Sequence, residues 1–135
     1  MKQNSIRKMG ILSAGLMLMV SVGCGRPAAE NRTFQKITQE EAKERMRRDD
    51  GHLIVDVRRP DEYAEGHIPG AICIPNETIT DTAPQELPDQ DQILLIYCRS
   101  GNRSRQAAEK LVKLGYTNVY EFGGITEWNG EITAD

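Results

Sequence analysis

The sequence is poor in the residues that build metal centres and aromatic clusters. Its 135 residues include two histidines, three cysteines and one tryptophan, and none of these histidines and cysteines has metal-ligand spacing. The longest apolar segment, Met9–Val22, has 14 residues, whereas a membrane-spanning helix needs about 20. The formal net charge is −3, which argues against nucleic-acid binding. We therefore expect a small acidic protein without a metal, a cofactor or a nucleic-acid partner.

The first 23 residues have the layout of a secretory signal peptide: basic residues, the apolar segment and then a small residue. Ser21–Cys24 resembles the lipobox of bacterial lipoproteins, in which the cysteine is lipidated and becomes the mature N-terminus. Leucine is more common than serine at the first of these positions, and the alternative is an ordinary signal peptide with Cys24 incidental. We expect removal of residues 1–23, a lipid on Cys24 and a tether over residues 24–32.

This N-terminus also predicts a location. A lipid on Cys24 would anchor an exported protein to a membrane of the cell envelope, with its folded domain outside the cytoplasm. Loss of residues 1–23 removes three basic side chains and moves the net charge from −3 to about −6. In so acidic a chain, arginines that are concentrated in one loop create a local region of positive potential.

Residues 33–135 form the predicted folded domain, in which strand-like and helix-like segments alternate. Strands are predicted at 33–37, 52–57, 71–74, 93–97 and 118–122, and helices at 38–50, from 60, within 76–92, from the loop after 98 to 115, and at 125–128. The run Ile93–Tyr97 is apolar throughout, as in a strand that is buried on both faces. The alternation predicts an α/β fold of three layers, a central parallel sheet flanked by helices.

Cys98 lies where this central strand turns into a helix. Backbone N–H groups of the loop and of the first helical turn, with the helix macrodipole, favour negative charge there. Arg99 and Arg103 add positive charge, although an arginine at a helix N-terminus lowers stability unless an anion is close. The pattern predicts a Cys98 thiolate as the nucleophile. The predicted anion-binding loop consists of Arg99, Ser100, Gly101, Asn102 and Arg103.

Motifs across residues 33–130 resemble those of single-domain rhodaneses, which are sulfurtransferases. In chain order they are Asp56-Val57-Arg58 with Glu62-Tyr63, Gly66-His67-Ile68-Pro69-Gly70-Ala71, the loop Cys98–Arg103, and Gly123-Gly124-Ile125 followed by Trp128. The resemblance implies that Cys98 attacks the outer sulfur of an anionic donor such as thiosulfate, becomes a persulfide and releases sulfite. The sulfur then passes to cyanide, a thiol or a partner protein.

Three other uses of this fold are alternatives to sulfur transfer. Dual-specificity phosphatases that share the fold have a Cys-x5-Arg loop, whereas the sixth residue after Cys98 is Ser104, so phosphatase and arsenate-reductase chemistry is not expected. A non-enzymatic binding module would have no need of Cys98 and its loop. A thiol redox protein or persulfide carrier needs the same loop as the enzyme, so this alternative stays open.

The remaining polar residues are interpreted as structural. Asp56 and Arg58 follow a buried strand and are expected to secure the next loop. His67 lies in a turn, which favours a buried structural histidine over a catalytic base. Cys73 lies in an apolar strand and is expected to pack as a small hydrophobic residue. The alternative is a disulfide with Cys98, which an exported protein can form.

Overall fold

Five parallel strands form the centre of the protein in a computed structural model that describes residues 33–135. The strands are β1 (Gln35–Lys36), β2 (Leu53–Asp56), β3 (Ile72–Cys73), β4 (Ile93–Cys98) and β5 (Asn118–Gly124). Their order is β1-β5-β4-β2-β3, and each neighbouring pair is parallel. The predicted signal peptide, the tether and the lipid site at Cys24 lie outside the described residues. Within 33–135, no helix has the length and apolarity that crossing a bilayer requires.

Helices cover both faces of this sheet. They are α1 (Gln39–Met46), α2 (Pro60–Glu65) and α3 (Asn102–Lys113), and short 3-10 turns lie at Asn76–Thr78 and Ile125–Glu127. Thr38 caps α1 as expected, since its Oγ1 accepts the N–H of Glu41 at 3.1 Å. The helix ends before the predicted Asp50, because the four residues after Met46 are all charged and give a further turn nothing apolar to bury.

The central strand β4 separates two hydrophobic layers. Leu94 and Ile96 pack in the layer that includes α3, whereas Leu95 and Tyr97 pack in the layer that includes Ala42 of α1. These four residues of β4 are fully buried, because both faces of a parallel sheet are covered. The predicted α/β fold of three layers, with a parallel sheet at its centre, is confirmed.

The edge strands are shorter than predicted and β5 is longer. β3 has two residues because Pro75 follows it closely, although the Ile74 N–H still donates to the Asp56 carbonyl at 2.9 Å. The register between β4 and β5 shifts between Ile96 and Cys98, and this shift places Gly124 opposite Cys98. The predicted end of β5 at residue 122 was therefore two residues short, and the additional residues lie beside the loop that follows Cys98.

Polar contacts secure the segment between β2 and β3. Arg58 donates from Nε and Nη2 to the Asp56 carboxylate at 3.0 and 2.7 Å, and from Nη2 to the Gly66 carbonyl at 2.6 Å. The His67 ring is buried, stacks on Tyr63 with 3.7 Å between ring centroids, and has Nδ1 2.9 Å from the Tyr63 carbonyl oxygen. These contacts agree with the structural roles predicted for Asp56, Arg58 and His67.

Candidate active site

The loop between β4 and α3 forms a tight turn around the Cys98 sulfur. Cys98 is fully buried, and α3 begins four residues later at Asn102. Gly101 has a φ of 99°, a left-handed conformation that favours glycine. In this conformation the Gly101 N–H donates to Cys98 Sγ at 2.9 Å. One of the backbone donors that the sequence predicts at the cysteine is thus in place.

Strand β5 supports the loop from the other side. A Cβ atom at Gly124 would collide with the carbonyl oxygen of Arg99 and with Cα of Ser100, so the approach of the two backbones requires glycine. Thr126 donates to the same Arg99 carbonyl from its N–H at 3.2 Å and from Oγ1 at 3.0 Å. The backbone of the loop is therefore held by the strand that lies opposite Cys98 and by the 3-10 turn that follows this strand.

An ion pair from α2 orients Arg103. Its Nη1 and Nη2 donate to the two carboxylate oxygens of Glu62 at 2.7 and 3.0 Å. The hydrogen bonds from Arg103 lower the pKa of Glu62 to about 2. Glu62 in turn raises the pKa of Arg103, and the charge of Cys98 contributes to that rise. Arg103 is thus within electrostatic reach of Cys98, and its partner Glu62 is a site residue that sequence reasoning missed.

The other predicted loop residues lie on the surface around Cys98. Arg99, Ser100 and Asn102 are exposed, and the Asn102 side chain accepts a hydrogen bond from Arg105 at 3.2 Å. The structure places these three residues, with Gly101 and Arg103, in the loop after Cys98 and in the first turn of α3. Their contact with an anion stays a prediction.

Two buried polar residues beneath the loop were also missed. Ser104 Oγ lies 3.4 Å from Cys98 Sγ and 2.7 Å from Glu121 Oε1, and Glu121 also accepts the N–H of Gly123 at 2.7 Å. The exposed fraction is 0% for Ser104 and 2% for Glu121. The sequence contained one indication of Ser104. This residue lies three positions before Ala107, on the apolar stripe of α3, and is therefore a polar residue at a core position.

Cys73 takes a separate position on β3. It is half-buried, and burial raises the pKa of its thiol. Its Sγ contacts the Arg58 carbonyl oxygen at 3.6 Å. Cys73 and Cys98 are both free thiols, so the structure has no disulfide between them, and the packing role of Cys73 stays a prediction.

Comparisons with known proteins identify the family of this chain. Residues 38–131 match the family described as the rhodanese-like domain. Thiosulfate sulfurtransferase GlpE of Pseudomonas paraeruginosa is 38% identical over 104 residues, which span 76% of this chain and 91% of that protein. The chain therefore belongs to the rhodanese-like family, and the resemblance seen in its motifs is confirmed.

Solved structures lead to the same family. The rhodanese-like domain protein of Staphylococcus aureus is 35% identical with a TM-score of 0.63, and the match covers 73% of this chain and 94% of that one. A structure described as rhodanese with anions from E. coli is 32% identical with a TM-score of 0.57, over 62% of this chain and 99% of that one. The fold is thus shared with these solved structures.

Proposed function

We propose that this protein is a rhodanese-type sulfurtransferase that moves sulfane sulfur from thiosulfate, or a related anionic donor, to a thiophilic acceptor through a persulfide on Cys98. The observation that carries the proposal is the buried Cys98 sulfur, which accepts the Gly101 N–H at 2.9 Å inside the loop. The names of relatives at 38% and 37% identity, thiosulfate sulfurtransferases GlpE and PspE, support thiosulfate as the donor.

The proposed reaction has two displacements at sulfur. In the first, the Cys98 thiolate attacks the outer sulfur of thiosulfate, a sulfur–sulfur bond forms, and the original bond breaks as its electron pair leaves with sulfite. In the second, cyanide or a thiol attacks the outer persulfide sulfur and the Cys98 thiolate leaves. Negative charge stays at the loop throughout, where backbone N–H groups and the start of α3 stabilise it. The sequence of steps uses no external oxidant.

Arginines at the loop are proposed to bring in the anionic donor. Arg99 is exposed beside Cys98, and Arg103 is held by Glu62 with its guanidinium pointing in a fixed direction. A cleft of about 770 Å³ beside the loop, lined in part by Ser100, Gly101 and Asn102, provides room for a small donor or acceptor. A positive loop on an acidic protein concentrates anions near the nucleophile.

The location belongs to the proposal as well. The lipobox-like segment that ends at Cys24 supports an exported protein with a lipid anchor. The folded domain would then lie outside the cytoplasm, at the surface of a membrane of the cell envelope. Its sulfur donor and acceptor would be molecules of that compartment.

The deciding experiment is detection of the persulfide by peptide mass spectrometry. The purified full chain is incubated with thiosulfate beside a Cys98→Ser variant and a Cys73→Ser variant, which keeps the loop intact. We expect the Cys98 peptide to gain the mass of one sulfur atom in the parent and in Cys73→Ser, with no gain in the Cys98→Ser chain. Addition of cyanide should remove that sulfur and produce thiocyanate.

The same samples separate the alternatives. A Cys98 peptide that gains sulfur from a low-molecular-weight persulfide but not from thiosulfate would identify a persulfide carrier. A peptide that gains sulfur from neither donor would contradict sulfur transfer and leave the non-enzymatic binding module.

A further inference from the structure

We propose that Glu121 receives the thiol proton of Cys98 through the hydroxyl group of Ser104, so that the thiolate forms without releasing a proton to water. Glu121 acts through Ser104 and is therefore a positioning residue for the nucleophile. The use of this thiolate in sulfur transfer rests on the function proposed above, whereas the proton transfer is a property of the folded chain and can be measured without a sulfur donor.

The hydrogen-bond directions define a path for the proton. Ser104 has one hydroxyl proton, and its nearest acceptor is Glu121 Oε1 at 2.7 Å, while the Gly123 carbonyl oxygen is 3.4 Å away. With that proton directed at Glu121, a lone pair of Ser104 Oγ accepts the Cys98 thiol, whose Sγ lies 3.4 Å away. The three groups form the chain Sγ–H···Oγ–H···Oε1.

Burial makes Glu121 a suitable receiver. Its side chain is almost fully buried, and none of the ion pairs found within residues 33–135 includes it. A buried carboxylate without a cation is unfavourable, and protonation removes its charge. In addition, a Cys98 thiolate and a Glu121 carboxylate would compete for the single proton of Ser104. The two negative charges therefore oppose each other, and one proton shared between the two groups is favoured.

The transfer balances in protons and charge. The thiol proton moves to Ser104 Oγ as the hydroxyl proton moves to Glu121 Oε1. The products are a thiolate, a neutral hydroxyl group and a carboxylic acid, so the total charge of the three groups stays at about −1. The hydrogen bonds then reverse: the acid donates to Ser104, and Ser104 donates to the Cys98 sulfur beside the Gly101 N–H.

Other charged groups near this chain come from six elements. They are Arg99 of the loop, Arg103 and Arg105 of α3, Lys36 of β1, which is the register partner of Glu121, Glu62 of α2, Glu41 of α1 and Glu127 of the turn after β5. Within the described part of the protein, none of them hydrogen-bonds to Ser104 or Glu121, and Glu62 and Arg103 hydrogen-bond to each other. Their net positive charge favours the thiolate, and Glu121 is the carboxylate that a hydrogen bond through Ser104 connects to Cys98 in the described residues.

The test is the pH dependence of Cys98 alkylation in the full chain. The rate of reaction with iodoacetamide is measured at the Cys98 peptide for the parent, Glu121→Gln, Ser104→Ala and the control Glu127→Gln, an exposed carboxylate on the neighbouring turn. Glutamine keeps the shape of Glu121 and accepts the Ser104 hydroxyl but cannot take a proton. Two coupled groups titrate in two steps, so we expect the parent rate to rise in two steps with a plateau between them.

The variants should differ from the parent in the shape of this profile. Glu121→Gln should show a single step, with a rate that changes about tenfold for each pH unit below its midpoint. Ser104→Ala should lower the plateau several-fold, and Glu127→Gln should keep the two steps of the parent. Superimposable profiles for the parent and Glu121→Gln would overturn the proposal. A single step in both profiles, with the midpoint of Glu121→Gln at lower pH than that of the parent, would also overturn the proposal. Glu121 would then act on the thiolate only by charge repulsion.

A second measurement uses the parent alone and stays informative if a variant fails to fold. Infrared difference spectra at the pH of the plateau should contain the carbonyl band of a protonated carboxylic acid, and alkylation of Cys98 should remove it as Glu121 returns to the carboxylate. Absence of this change would contradict the proton transfer. A parent that shows the band and the two-step profile but gains no sulfur from thiosulfate would support the proton transfer and contradict only the proposed function.

Discussion

Replacing Glu62 by glutamine should destabilise the protein in a manner that depends on pH. The Glu62 carboxylate accepts two hydrogen bonds from Arg103 and one from the N–H of Arg59, at 2.7 to 3.0 Å. Glutamine preserves the size of the side chain but loses its charge and one of its two acceptor oxygens. The variant therefore tests the ion pair that links α2 to the start of α3.

The magnitude follows from the pKa of Glu62. Hydrogen bonds from Arg103 lower this pKa from its ordinary 4.5 to about 2, so the stabilisation is complete above pH 4.5 and is lost as the pH falls toward 2. At about 1.4 kcal/mol for each pH unit, the upper limit is about 3 to 4 kcal/mol. The side chains of Arg103 and Glu62 are 26% and 15% exposed, and solvent screens such a pair. We expect Glu62→Gln to lower the free energy of unfolding by about 1 to 3 kcal/mol at pH 7.

Urea unfolding between pH 7 and pH 3 measures this effect. The difference between the parent and Glu62→Gln should be constant from pH 7 to about 5 and shrink below pH 4.5. Glu65→Gln, an exposed substitution on the same helix, is the control and should match the parent throughout. A difference for Glu62→Gln that stays the same at every pH, or is absent at pH 7, would refute the reasoning.

Two further predictions concern the loop. Gly124→Ala should lower the free energy of unfolding by about 1 to 3 kcal/mol and reduce sulfur uptake by Cys98, because the new Cβ would collide with the Arg99 carbonyl oxygen. Thermal unfolding measures the first effect and peptide mass spectrometry the second. A variant with the parental unfolding midpoint would argue against so close an approach of the two backbones. The protein should hydrolyse p-nitrophenyl phosphate no faster than its Cys98→Ser variant, because its loop lacks the arginine of Cys-x5-Arg; turnover well above that background would indicate a phosphatase.

The architecture could be predicted because the strands and helices follow from patterns of residues that are neighbours in the sequence. The unbroken apolar run of β4 indicates a strand covered on both faces, and Thr38 marks the start of α1. The end of α1 could not be placed as well, because four charged residues after Met46 can continue a helix by propensity but bury nothing. The last residues of β5 were missed because glycines have low strand propensity, and their pairing depends on a register shift beside Cys98.

The site was predictable only as far as its residues are neighbours in the chain. Cys98 and the loop after it form one continuous segment, so the strand-to-helix transition identifies them. Glu62 lies 41 residues before Arg103, and Glu121 lies 17 residues after Ser104. No short-range pattern connects such pairs, since the folded sheet brings them together. The residues that orient the loop were therefore missed, while those that form it were found.

The strand order has a consequence for how the chain is made. Strand β5 lies between β1 and β4, so Gln35, in the first strand of the described domain, pairs with Tyr120 in its last strand. Pairing over so long a stretch of chain forms slowly, and β1 cannot join the sheet before β5 has been synthesised. Until then Cys98 has neither Gly124 nor Glu121 beside it. The surroundings of the cysteine are thus complete only after β5 has been added to the sheet.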